Sequence, residues 1–348
     1  MKTISFGKSK ISTNGPCYVI AEIGHNHQGN LETALKMVKI AASYGVQAVK
    51  FQKRDNKTLY TKSMYNKPYD NENSYGATYG EHREFLEFGK DEYLELIKCA
   101  EENGVEFMST AFDFKSADFL NDLGITSFKI ASADVTNTPL LEYIAKLGKP
   151  MFVSTGAADL EEIGLAYDAI IKYNDKLCLM HCIAGYPAEY HNLNLRTIDT
   201  LKKEFPEAII GYSGHDNGIL AAIISYMLGA TVLEKHFTLN RSWKGTDHKF
   251  SLEPEGLRKQ IRDLRRVDLA LGDGKRIVYD FEAEAKKKMG KGIYTSRPLS
   301  AGTVITWDHI CLKTPTNGTP PYMVDKILGK KLKINLDEEA SISLDYVE

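Results

Sequence analysis

His236 closes one short apolar run, 232–236, and His215 follows another, 208–212, through Ser213-Gly214. Neutral imidazole is the commonest protein ligand for a metal ion. Either histidine alone reads as a hydrogen-bonded polar residue. Two at matched positions, beside Glu234 and ahead of Asp247, read as a metal site with open positions. Nitrogen and oxygen donors without thiolates suit Mn²⁺ or Mg²⁺ more than structural zinc. Lys50 and Lys129 each interrupt an apolar run, and a buried cation is costly unless it is paired. They are either salt-bridged structure or an anion clamp. With the hydroxyls of Thr110, Ser132, Ser154 and Ser213 at corresponding run ends, they suit a phosphate and a carboxylate together. Glu22, set between Ile20-Ala21 and Ile23-Gly24, is expected to be half buried and to act as a base or to orient its neighbours. Glu234 is the second carboxylate counted as a catalytic candidate. His25 and His27 flank Asn26, so at most one points inward, and a structural loop role is expected for both.

These residues need a frame that brings run ends together. Eight β-rich apolar runs, 17–23, 48–52, 106–110, 127–131, 151–154, 177–182, 208–212 and 232–236, alternate with amphipathic helical stretches. Near-continuous apolar strands are expected where both faces of a parallel sheet are covered. Eight βα units in this length make an α/β fold of the (β/α)8 TIM-barrel type, in which the C-terminal ends of the strands carry the chemistry. An open doubly wound sheet is the alternative, but no Gly-rich dinucleotide fingerprint follows the first strand. The polar, Tyr- and Asn-rich stretch 55–90 is read as a long functional loop. The division expected is a catalytic barrel over 1–283, a basic linker over 284–292 containing Lys286-Lys287-Lys288, and a small β-rich domain over 293–348.

A net charge of −2 argues against a nucleic-acid or anionic-membrane partner. The opening residues carry no continuous apolar stretch, so no signal peptide is expected, and no run reaches the length of a membrane span. Five scattered cysteines, with Cys178 and Cys182 four apart, read as reduced core thiols in a cytoplasmic protein.

Nine blocks in register, among them AEIGHNHQG, VKFQK, FKIASAD, HCIAGYP, IGYSGH, LEKHFTL and WKGTDHKFSLEP, resemble the sialic acid synthase family across nearly the whole chain. The resemblance implies a (β/α)8 barrel followed by a small antifreeze-like (SAF) domain, the latter matched by the run from Arg297-Pro298 to Leu332. It implies condensation of phosphoenolpyruvate with an N-acylmannosamine, or its 6-phosphate, to a nine-carbon 2-keto acid. By the same resemblance His215 and His236 hold Mn²⁺ or Mg²⁺. Lys50, Thr110, Lys129, Ser132, Ser154 and Ser213 bind phosphoenolpyruvate, and Gln52, Tyr186 and Asp247 contact the sugar. Glu22 handles a proton. A domain-swapped homodimer is also implied. Thr314 stands where bacterial members of the family carry an arginine for the N-acyl group, Ala184 stands where an asparagine is common, and Lys57, Lys67 and Arg83 of the 55–90 stretch are alternative groups for a phosphate at the far end of a phosphorylated sugar. A different sugar aldehyde, or a non-catalytic sugar- or anion-binding barrel, is the alternative.

Overall fold

The computed structural model describes residues 2–348, which divide into two compact units, one ending at Leu271 and the other running from Gly272 to Glu348. The first opens on a hairpin, β1 (Thr3–Phe6) and β2 (Ser9–Ser12), that the strand pattern of the sequence did not reveal. Eight parallel strands then close into a barrel: β3 (Tyr18–Glu22), β4 (Ala48–Lys53), β5 (Glu106–Ala111), β6 (Phe128–Ile130), β7 (Met151–Ser154), β8 (Leu177–Cys182), β9 (Ile209–Gly214) and β10 (Val232–His236). Each strand pairs with the next in sequence, and β10 returns to β3 with Val232 opposite Tyr18 and His236 opposite Glu22. The (β/α)8 expectation is met.

Helices cover the outside: α1 (Leu31–Tyr44), α5 (Lys90–Glu102), α6 (Phe114–Asp122), α7 (Thr138–Lys146), α8 (Leu160–Ile171), α9 (Thr197–Glu204), α10 (Leu220–Met227) and α11 (Pro254–Leu271). Helix α1 shows the local logic. Asn30 accepts from the Thr33 N–H at its start, Ala34, Met37, Val38 and Ala41 face the sheet, and Gly45 ends it at φ 88°. The expected loop at 55–90 contains three short helices, α2 (Asn56–Leu59), α3 (Lys62–Tyr65) and α4 (Tyr79–Leu86), joined by irregular stretches. Its polar composition concealed short helices with capping side chains, of which the Thr78–Glu81 capping box at α4 is the clearest.

The period-2 alternation of the strands sorts their side chains into two shells. Val19, Ala21, Val49, Phe51, Phe107, Val153, Leu179 and Leu233 point outward into the layer under the helices. Tyr18, Ile20, Ala48, Met108, Phe152, Cys178, Met180, Ile209 and Val232 fill the inside, and Ile4, Phe6 and Ile11 of the hairpin join them. The Phe6 ring meets Phe152 edge-on at 5.5 Å and Tyr18 at 5.7 Å. The hairpin therefore plugs one end of the barrel with three fully buried apolar side chains, each contributing about 1.5–3 kcal/mol. The next inward positions toward the strand C-termini, Glu22, Lys50 and Glu234 among them, are polar and line a cavity.

The second unit contains α12 (Asp280–Met289) and the antiparallel pair β11 (Gly292–Thr295) and β12 (Ile310–Lys313), with Gly292 opposite Lys313. Ile293, Leu299, Ile305, Ile310, Ile327, Leu332, Ile342 and Val347 form its own small core. The basic stretch 284–292 is therefore mostly helix here. Among the described residues no helix is long and apolar enough to cross a membrane.

Candidate active site

The strand alternation that buries Ile20, Ala48 and Val232 carries on to Glu22, Lys50 and Glu234, so these three face one another inside the barrel. Lys50 Nζ lies 2.7 Å from Glu22 Oε2 and 3.6 Å from Glu234 Oε1, and it donates to Thr110 Oγ1 at 3.0 Å. Gln52 Nε2 donates to Glu22 Oε1 at 2.6 Å, and Ser213 Oγ donates to Glu234 Oε1 at 3.3 Å. Glu22 was expected half buried but is 1% exposed. Lys50 beside Oε2 and Gln52 at Oε1 give each carboxylate oxygen one close partner, which offsets part of the cost of burial.

Lys129 differs from Lys50. It donates to Ser154 Oγ at 2.6 Å and to the Ile130 carbonyl at 2.8 Å, yet no carboxylate lies within ion-pair distance of it among the described residues. Burial pushes its pKa down, with Glu234 pulling the other way. A buried cation with neutral partners only is an anion-binding group in waiting. Ser132 stands nearby and accepts from the Gly156 N–H at 3.0 Å.

The two carboxylates are driven apart. Burial, opposed by Lys50 and reinforced by Glu234, holds Glu22 above the usual carboxylate range. Burial also acts on Glu234, but Lys129, Lys50 and the two histidines outweigh it and hold that carboxyl low. Environments that diverge in this way favour the protonated form at Glu22 and the ionised form at Glu234.

His215 and His236 sit side by side, ring centroids 5.3 Å apart. His215 Nδ1 donates to the Ile183 carbonyl at 2.9 Å, which leaves Nε2 as a free lone pair when the ring is neutral. Burial and the neighbouring His215 push His236 well down, so it is neutral, and its buried Nδ1 has no hydrogen-bond partner. Asp247 Oδ2 is 3.7 Å from that nitrogen, close but not bonded. Among the described residues no three His, Cys, Asp or Glu side chains converge into a ready-made ligand set. The pair nonetheless fits a divalent ion as two nitrogen donors, each imidazole binding in its neutral form. Tyr186, 57% exposed, lays its ring 4.3 Å from that of His215 at the edge of the mouth.

All these groups line one cavity of about 650 Å³ at the C-terminal face. The same cavity holds His25 and Arg54, to which the sequence reading gave no part in a site, and Arg83, which it named with Lys57 and Lys67 as a group for a distal sugar phosphate. His25 was assigned a structural role with His27, and only His27 keeps it, stacked 4.1 Å from Phe88 and accepting from the Gly29 N–H. His25 faces the cavity between Arg54 and Arg83, with Tyr75 and His82 of the 55–90 segment beside them. Arg54 was findable, because Lys50, Gln52 and Arg54 continue a single period-2 series. Lys57 and Lys67 are exposed and do not line this cavity. Lys235, in contrast, points outward from β10, is fully buried, and pairs with Asp216 at 2.9 Å as structure.

A closed parallel barrel with two buried lysines, two carboxylates and two histidines gathered at its upper rim defines a (β/α)8-barrel enzyme. Residues 37–276 match the model of the NeuB family, and the chain belongs to that family. It is 37% identical over 334 residues to the N-acetylneuraminate-9-phosphate synthase of Homo sapiens, covering 96% of this chain and 93% of that one. It is 35% identical over 338 residues to the N,N'-diacetyllegionaminic acid synthase of Legionella pneumophila, covering 95% of each. Among solved structures, the N-acetylneuraminic acid synthetase of Leptospira borgpetersenii superposes with a TM-score of 0.71 at 33% identity, over 82% of this chain and 95% of that one.

Proposed function

We propose that the protein is a sialic acid synthase-type enzyme that condenses phosphoenolpyruvate with N-acetylmannosamine, or its 6-phosphate, to give a nine-carbon 2-keto acid and phosphate. The observation that carries this reading is Lys129, a buried cation without a carboxylate, set beside the Lys50 clamp on the floor of a deep cavity. Lys129, Lys50 and the hydroxyls of Thr110, Ser132, Ser154 and Ser213 receive the phosphate and carboxylate of phosphoenolpyruvate as charge-assisted acceptors. Gln52, Tyr186 and Asp247 hold the sugar chain above it.

In the reaction C3 of phosphoenolpyruvate bonds to the aldehyde carbon, and the carbonyl electron pair becomes an alkoxide that takes a proton. Water adds at C2, and the resulting tetrahedral carbon expels phosphate to leave the ketone. Glu22, with its raised pKa and its contact to Lys50, carries the proton of that water. Glu234 stays ionised and stabilises the positive charge that develops at C2. His215 and His236 would hold Mn²⁺ or Mg²⁺, whose chemistry at this place is polarisation of a carbonyl oxygen.

The test is phosphate release from phosphoenolpyruvate with a panel of N-acetylmannosamine, mannose and their 6-phosphates. Release with an N-acetylated sugar supports the proposal, and release with mannose compounds alone moves it to another aldehyde. No release with any of them returns the chain to a binding role. A homodimer in which tails act in trans is part of the proposal. Mixing a chain truncated at the second unit with a Glu22→Gln chain should restore partial turnover, and confirmed mixed dimers without recovery would remove this part.

A further inference from the structure

Arg54 and Arg83 reach His25 from opposite sides. Arg54 Nη1 is 3.3 Å from His25 Nε2, and Arg83 Nη1 is 3.3 Å from His25 Nδ1. A neutral imidazole offers one acceptor, and guanidinium groups offer none. At most one of these contacts is therefore a hydrogen bond, and at the other an N–H faces an N–H. Burial, followed by the charges of Arg54 and Arg83, drives the His25 pKa well down, so protonation cannot relieve the conflict without adding a third cation.

The surrounding carboxylates do not resolve it. Glu87 Oε1 lies 3.9 Å from Arg54 Nη1 and 3.6 Å from His25 Nε2, beyond hydrogen-bond length, while Glu87 Oε2 already accepts from Lys53 Nζ at 3.2 Å. The other polar partners are neutral. Arg54 Nη2 donates to Gln52 Oε1 at 2.7 Å, and Arg83 donates to Tyr79 OH from both Nε and Nη2. One face of the Arg54 guanidinium rests on the Phe112 ring at 3.6 Å, so the group is 8% exposed and held in one place. Arg54 thus has only Glu87, which Lys53 already uses, and among the described residues Arg83 has no carboxylate within ion-pair distance, Asp247 acting on it and on His25 from farther away. The cluster lines the same cavity as the lysine floor and has more donors than acceptors.

Its position along the barrel says what would supply the missing acceptors. Lys50, Gln52 and Arg54 climb from the floor toward the mouth, four residues spanning roughly 13 Å at strand rise. On the proposed reading the aldehyde reacts at the floor, so the far end of an open sugar chain extends toward Arg54 and Arg83. We infer that Arg54, His25 and Arg83 form a receptor for a phosphate monoester at the distal end of the acceptor sugar, making them the residues that select a sugar phosphate. A phosphate brings several acceptor oxygens and up to two negative charges, enough to take the free guanidinium N–H groups and the imidazole N–H at once.

This inference rests on the condensation reading, and the experiment keeps the two apart. Wild type, Arg83→Met and Arg83→Lys are assayed with phosphoenolpyruvate and either N-acetylmannosamine or its 6-phosphate. Thermal unfolding is followed with each sugar alone. The expected result is a wild-type preference for the 6-phosphate. That preference should shrink roughly 10- to 100-fold in Arg83→Met, through KM more than kcat, with partial recovery in Arg83→Lys. The 6-phosphate alone should raise the melting temperature of wild type and of Arg83→Lys but not of Arg83→Met. An Arg83→Met that loses activity equally with both sugars, or a wild type that prefers the unphosphorylated sugar, overturns the receptor and leaves the condensation intact. Absence of turnover with both sugars, with 6-phosphate protection that depends on Arg83, overturns the condensation and leaves the receptor standing.

Discussion

Replacing Lys129 with methionine should make the protein more stable and nearly inactive at once. The side chain is 2% exposed, and its partners are a hydroxyl and a backbone carbonyl. Holding an ammonium in such surroundings costs several kcal/mol after relaxation, and the two neutral hydrogen bonds recover only part of it. Methionine keeps the volume and flexibility and removes the charge, at the expense of leaving Ser154 Oγ with one partner fewer. A net gain of about 1–3 kcal/mol follows, which in a domain of this size raises the melting temperature by roughly 2–4 °C per kcal/mol. Phosphoenolpyruvate binding should fall by at least one to two powers of ten, since a charged hydrogen bond contributes about 1.5–3 kcal/mol. The assay is thermal unfolding with and without phosphoenolpyruvate at low salt. Wild type should be raised by the ligand, whereas Lys129→Met should start higher and not respond. A variant that starts lower than wild type and still responds to phosphoenolpyruvate would refute the view of Lys129 as an uncompensated cation kept for an anion.

Glu22→Gln preserves size and hydrogen bonding, and its kcat should drop roughly 10²–10⁴-fold with little change in the KM for phosphoenolpyruvate; a rise in sugar KM alone would make Glu22 a positioning group. Chelation should abolish turnover and Mn²⁺ or Mg²⁺ should restore it, while His236→Ala should lose metal binding and rate together, which equilibrium dialysis and steady-state assays check. His25 and His27 are held well below the ordinary histidine range mainly by burial, and burial with Arg83 and Lys244 pushes His82 down to about 4. The folded state therefore binds fewer protons than the unfolded chain. Stability is full above pH 6.5 and lost as pH falls below it, with an upper limit of about 1.4 kcal/mol per pH unit for each group, seen as denaturation midpoints that fall between pH 7 and 5. Midpoints independent of pH in that window would show that these histidines take up protons in the folded state.

The strand order and the buried floor were legible because both follow from period 2. Apolar runs of four to seven residues announced strands covered on both faces, and a lysine at an inward register position in such a run could only meet a partner or a ligand. Lys50 and Lys129 look alike in sequence, yet one is clamped by two carboxylates and the other has none, since that depends on which strands are neighbours around the closed barrel. His25 lies beyond the end of β3, where alternation lapses and side-chain direction is set by tertiary packing, whereas Arg54 extends the inward series of Lys50 and Gln52 just past the end of β4. Arg83 was legible as a cation of the polar 55–90 stretch but not set apart from Lys57 and Lys67, because its place depends on α4 and a window rich in Tyr, Asn and Glu carries too little apolar periodicity to announce an eight-residue helix. The hairpin at Thr3–Ser12 escaped because its four-residue strands are mostly polar, with burial confined to Ile4, Phe6 and Ile11.

The central claim, that this floor joins phosphoenolpyruvate to a sugar aldehyde, is tested most directly by following the carbon of the donor. Phosphoenolpyruvate labelled with ¹³C at all three carbons is incubated with the enzyme, Mn²⁺ and N-acetylmannosamine 6-phosphate, and the products are resolved by mass and by carbon NMR. The predicted result is a nine-carbon 2-keto acid containing all three labelled carbons, a new bond from the labelled methylene to the former aldehyde carbon, and one phosphate released per molecule formed. Labelled pyruvate and phosphate without that bond, or recovery of both substrates unchanged, would contradict it.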